Sequence, residues 1–144
     1  MSVVIYFDTS ALAKWYIHES RSDDVEKYIQ QHGPVAISDL TVVEMRSLLG
    51  RRRRDKRLTS KIETEIFATF QEDIRRRFLI CHPLPDGLAA GAVNLLALLS
   101  DIPLRTLDAL HLVIAKEIYA ESLVTADHIM ADGAKALGFN VVRF

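Results

Sequence analysis

The chain has 144 residues, 49% of them hydrophobic and 26% charged, with a formal net charge of -1 and one cysteine. These values suit one soluble domain spanning residues 1–144 and exclude a collagenous, low-complexity or disulfide-built protein. A near-neutral balance also means that any nucleic-acid partner has to be recognised by local charge clusters rather than by global attraction.

Val3 to Phe7 reads as a strand apolar on both faces, too short for a secretion signal core and without a basic leader. Thr9 and Ser10 offer caps for a helix through about Ile17, and a charged helix over Ser22–Gln31 is ended by His32-Gly33-Pro34. Pro34 to Ile37 is a second strand. A helix from about Asp39 to Arg54 follows, anchored by Val43, Met45, Leu48 and Leu49. Thr59 or Ser60 starts the next, with Ile62, Ile66, Phe70 and Ile74 at i+4 spacing. Phe78 to Cys81 is a third strand, and Cys81 is expected to be a small apolar core residue.

Asp86 can cap an Ala/Leu-rich helix reaching about Leu99, whose apolar run is too short to span a bilayer. The helix beginning near Thr106 is apolar on most faces and should be well buried. Leu123–Thr125 is a fourth strand, His128–Leu137 a last helix stopped by Gly138, and Val141-Val142 a final strand. Strands alternating with helices predict an α/β fold: a three-layer α/β/α sandwich around a central, mostly parallel sheet. The expected location is the cytoplasm, with no membrane partner.

Asp8, Glu44, Asp108 and Asp127 fall at the predicted starts of helices, and Asp8, Glu44 and Asp127 follow or close apolar strand-like runs. Each has a purely structural reading. Asp8 and Asp127 suit N-caps, Glu44 suits a capping box with Thr41, and Asp108 complements a helix dipole. Capping gives no reason for four acids on one sheet edge, however. A parallel sheet binds its ligands at the carboxyl ends of its strands. Carboxylates gathered there repel one another unless protonated or bridged by a cation, and oxygen-only ligands favour Mg²⁺ or Mn²⁺. The chemistry natural to such a site is metal-assisted phosphodiester hydrolysis.

The runs Ile-Tyr-Phe-Asp-Thr-Ser-Ala-Leu, Thr-Val-Val-Glu, Leu-Asp-Ala-Leu-His-Leu and Val-Thr-Ala-Asp, in that order, resemble the PIN-domain superfamily and, within it, the VapC-type toxins. The resemblance runs from Val3 to Val142. It implies a PIN-like fold and a metal-dependent endoribonuclease that hydrolyses RNA by metal-activated water. Asp8, Glu44, Asp108 and Asp127 would be its acidic, metal-binding cluster. Asp8 and Asp108 are expected to be the most direct ligands, Glu44 to bind metal or hold water, and Asp127 to act through water. Thr9 or Ser10 would support the metal shell from the first loop, and Thr125 would orient Asp127. The implied partners are an RNA substrate, a VapB-like antitoxin and a second copy in a homodimer.

Arg51, Arg52, Arg53 and Arg54 form the densest basic run, read either as a solvated helix end or as an RNA-phosphate ridge. His111 shares a helical face with Asp108, either as a hydrogen-bonded core residue or in support of the acids. Trp15 and Tyr16 suit core or interface packing, or base stacking. Two rival functions are carried: a non-catalytic module gripping a basic peptide in the acidic groove, and an aspartyl-nucleophile phosphatase. The latter usually shows a second aspartate two residues on, where this chain has Ser10.

Overall fold

The computed structural model describes residues 3–144. In chain order the elements are β1 (Ile5–Phe7), α1 (Thr9–Tyr16), α2 (Ser22–His32), β2 (Val35–Ser38), α3 (Asp39–Arg54), α4 (Ser60–Arg75) and β3 (Leu79–His82). Then follow α5 (Leu88–Leu98), α6 (Thr106–Glu117), β4 (Ser122–Thr125), α7 (His128–Ala136) and β5 (Asn140–Arg143). The strands form one five-stranded sheet in the order β3-β2-β1-β4-β5, and every pairing is parallel.

Period-two alternation along β1 divides the core. Ile5 and Phe7 join one apolar cluster with Leu12 of α1, Val25 of α2, Met45 and Leu49 of α3, and Phe70 of α4. Tyr6 faces the opposite way, into a second cluster with Leu95 of α5, Leu112 and Ile114 of α6, and Met130 of α7. Helices α1–α4 therefore cover one face and α5–α7 the other, as the three-layer expectation required. Each fully buried Leu, Ile or Phe in these layers contributes about 2 kcal/mol relative to exposure. Tyr6 pairs with Ala36 of β2 on one side and Leu123 of β4 on the other, so β1 is central.

Several local expectations are corrected. Val43 is 67% exposed, so the inward stripe of α3 runs through Met45 and Leu49. Asp86 does not cap α5; Gly87 holds that position in the left-handed region, without a side-chain cap. The capping box of α3 pairs Ser38 with Thr41, and Glu44 lies a turn further in. The first strand begins at Ile5, with Val3 half exposed. Phe78 lies outside β3 and is also half exposed. Cys81 is only partly buried; burial and the neighbouring Asp39 push its thiol up to about 12, which leaves it unreactive.

Candidate active site

The strand order reverses between β1 and β4, the place where an open parallel sheet forms its crevice. Asp8 leaves the carboxyl end of β1 and caps α1, accepting the Ala11 N–H at 3.0 Å. Asp127 follows β4 and caps α7, accepting from Ile129 and Met130. Asp108 lies in the first turn of α6 and accepts the Arg105 N–H at 2.9 Å. Glu44 enters from the second turn of α3. All four acids line one cavity of about 500 Å³, together with Thr9, Ser10, Arg51, Arg105 and His111.

Asp8 is 4% exposed. Ser10 donates to its Oδ1 at 2.7 Å and Thr125 to its Oδ2 at 2.6 Å. Burial raises its pKa above the ordinary aspartate value, and these hydrogen bonds only partly offset that rise. The folded chain alone therefore disfavours the Asp8 charge. Glu44 behaves oppositely. Partial burial opposes its ionisation, but the hydrogen bond and positive field of His111, the Thr9 hydroxyl at 2.7 Å and the field of Arg51 together hold it below the usual range. Two carboxylates in one cavity are thus pushed apart in proton affinity.

The hydroxyls at the start of α1 and in β4 reach two different acids. Thr9 serves Glu44, while Ser10 serves Asp8 and accepts the Ala126 N–H at 3.0 Å. Thr125 donates to the Asp8 carboxylate at 2.6 Å; toward Asp127 its hydroxyl meets the backbone, accepting the N–H at 3.0 Å and lying 3.5 Å from the carbonyl oxygen. His111 is buried and touches Glu44 through Nε2.

The basic run splits. Arg51 lines the cavity. Arg52 lies 3.3 Å from Glu19, and Arg53 lies 2.8 Å from Glu63, which also holds Arg46. Trp15 and Tyr16 line a separate groove against α4, with the Tyr16 hydroxyl donating to Asp73 at 2.5 Å.

Sequence reasoning missed two features. Arg105 stands 3.8 Å from Asp108 and 4.0 Å from Asp127, as an internal counter-charge. Its signal was its place three residues before Asp108, one helical turn away. Tyr6 bonds His111 from the middle of β1, and nothing in an apolar strand run marks one tyrosine as polar in use.

Among the described residues, no three His, Cys, Asp or Glu side chains stand close enough to share one ion. The donor set nevertheless suits a hard divalent cation. It is all carboxylate and hydroxyl oxygen, and Glu44 Oε2 and Asp108 Oδ1 carry no hydrogen bond among the described residues. A cation would also relieve the burial that opposes the Asp8 charge.

An α/β/α sandwich with an acidic cavity at the switch point of a parallel sheet is the architecture of a PIN domain, and the family model for the PIN domain matches residues 5–136. A curated relative, ribonuclease VapC46 of Mycobacterium tuberculosis, is 31% identical over 145 residues, covering 96% of this chain and 95% of that protein. The chain therefore belongs to the PIN-domain family, among its VapC-type members. Solved structures share the fold. VapC20 of M. tuberculosis, described as a Sarcin-Ricin loop cleaving toxin, superposes with a TM-score of 0.72 at 18% identity, over 97% of this chain and 99% of that one. DNA-bound VapBC from Salmonella typhimurium gives 0.69 at 13% identity, over 98% of each chain. FitAcB from Neisseria gonorrhoeae gives 0.69 at 16%, over 96% of each.

Proposed function

We propose that this chain is a divalent-metal-dependent endoribonuclease, the toxin of a type II toxin–antitoxin pair. Its acidic cluster is Asp8, Glu44, Asp108 and Asp127, and its ion is Mg²⁺ or Mn²⁺. The observation that carries this reading is the convergence of four carboxylates, from the N-caps or first two turns of four separate helices, on one cavity at the β1/β4 switch point. The 31% identity to a ribonuclease along nearly the whole chain supports the substrate class.

Asp8 and Asp108 are the most direct ligands, and Glu44, kept ionised by His111, holds metal or the attacking water. Asp127 acts at longer range from the rim. When bound, the ion supplies charge neutralisation and a more acidic water for attack on the RNA phosphodiester. Thr9, Ser10 and Thr125 keep the carboxylates aimed at the cavity. Arg51 on the wall offers a contact for substrate phosphate.

The partners in this reading are RNA, a VapB-like antitoxin and a second copy of the chain. Arg105 between Asp108 and Asp127 supports an antitoxin that presents a basic side chain, because the cavity rim already accommodates a guanidinium. No helix among the described residues is long and apolar enough to cross a membrane. One sheet carries both apolar layers, which supports reading residues 1–144 as one domain; the location in this reading is the cytoplasm.

Incubation of the purified chain with total cellular RNA tests the reading. Cleavage is expected with Mg²⁺ and not with a chelator, and Asp108→Asn should lose it. Cleavage that survives both changes would refute the assignment.

A further inference from the structure

Tyr6 is fully buried, at 0% exposure, yet its hydroxyl is used. It lies 2.9 Å from Ser38 Oγ and 2.7 Å from His111 Nδ1. The other nitrogen of that ring, Nε2, meets Glu44 Oε1, which also accepts from Thr9 at 2.7 Å. Ser38, Tyr6, His111, Glu44 and Thr9 thus form an unbroken chain of side-chain hydrogen bonds across β2, β1, α6, α3 and α1.

Packing alone does not call for this chain. Buried hydroxyl and imidazole groups cost free energy unless paired, and apolar residues of similar shape would fill the same space. The chain is also directional: it runs from the sheet interior to one oxygen of one carboxylate on the cavity wall. An imidazole bonded at both nitrogens cannot rotate without breaking a bond.

We propose that Tyr6 and Ser38 are positioning residues for the acidic cavity, acting through His111 to fix the orientation of Glu44. The proposal rests on the nuclease reading above. With Oε1 held by His111 and Thr9, Oε2 is the oxygen presented to the cavity. Removing the Tyr6 hydroxyl leaves Nδ1 without its partner, frees the ring and loosens Glu44.

Tyr6→Phe keeps the ring and deletes only the hydroxyl. Three readouts on the full chain test the proposal. Mn²⁺ binding, followed by the EPR signal of the free ion without RNA, should weaken about tenfold, the scale typical of lost support around a metal ligand. On an RNA oligonucleotide that the wild type cuts, kcat should fall by a similar factor while KM holds. The imidazole ¹⁵N resonances of His111 should move in Tyr6→Phe and also in Glu44→Gln.

Tyr16→Phe is the control for general destabilisation, since it deletes another hydrogen-bonded hydroxyl away from the cavity. It should leave Mn²⁺ affinity and kcat unchanged. Wild-type Mn²⁺ affinity and kcat in Tyr6→Phe, or equal losses in Tyr6→Phe and Tyr16→Phe, would overturn the proposal. If the wild type neither binds Mn²⁺ nor cuts RNA, the nuclease reading fails. The ¹⁵N shifts then decide the chain separately: movement in both variants upholds the link from Tyr6 to Glu44, and movement in neither ends it.

Discussion

Asp8→Asn should separate what the fold wants at position 8 from what the proposed chemistry wants. In the metal-free protein the pKa of Asp8 is raised, chiefly by burial, after its three hydrogen bonds have been counted. The sign follows by linkage. Below the unfolded value, about 4 for aspartate, both states are protonated and the group costs nothing. As pH rises through the interval up to the folded pKa, the unfolded state ionises first and stability is lost. At neutral pH the Asp8 carboxyl is therefore a net burden on the metal-free fold.

Asparagine caps a helix as well as aspartate does, so the Ala11 bond survives. The charge-assisted Thr125 bond is weakened, a loss of about 1.5 kcal/mol that stands against the burial cost the neutral side chain escapes. Metal-free Asp8→Asn should thus melt no lower than wild type at neutral pH, and the two curves should converge as pH falls toward the aspartate range. Metal reverses the order. Mn²⁺ at a hundred times its dissociation constant stabilises the wild type by about 2.7 kcal/mol, or roughly 8 °C for a chain of this size. The variant should gain under about 2 °C by the same arithmetic. Differential scanning fluorimetry with and without Mn²⁺ reads both effects. A metal-free variant that melts well below wild type, or one that keeps the full Mn²⁺ shift, would refute the reasoning.

Arg105→Ala should tighten Mn²⁺ binding about threefold: unit charges 4 Å apart interact by about 1 kcal/mol in water-like surroundings, and the exposed guanidinium realises only part of that. Unchanged affinity by isothermal titration would remove Arg105 from the cavity's charge balance. Arg51→Ala should flatten the salt dependence of RNA binding by about one unit of log slope, whereas Arg52→Ala and Arg53→Ala should act mainly on stability through Glu19 and Glu63. Filter binding at several salt concentrations distinguishes them. Gly133→Ala places a Cβ 2.9 Å from Leu104 Cδ2 and 3.1 Å from Leu112 Cδ1, and should cost about 1 kcal/mol in chemical denaturation.

The architecture was legible where periodicity is strong. The helix Asp39–Arg54 falls on its predicted bounds, and alternating strands and helices implied the parallel sheet. Asp8 and Asp127 are both N-caps and cavity acids, so the two readings weighed for each were never exclusive. Glu44 fitted a capping-box spacing, but Ser38 one turn earlier offered the same spacing to Thr41 and is where the helix starts. Val43 suited the core by type yet faces outward, because three-dimensional contact and not hydrophobicity decides which side of α3 meets the sheet. The Tyr6–His111–Glu44 chain was illegible: its bonds span separations of 105 and 67 residues, and only the strand order brings them together. The pairing of Thr125 with Asp8 was hidden for the same reason, since β4 becomes the neighbour of β1 only on folding.

The proposed chemistry needs carboxylates from separate elements to close on one divalent ion. Anomalous scattering from crystals soaked in Mn²⁺ tests this most directly. A manganese peak is expected within the cavity, touching Asp8 and Asp108, and should be lost in Asp8→Asn crystals. A soaked crystal with no manganese there, or with manganese bound only away from these carboxylates, would contradict it.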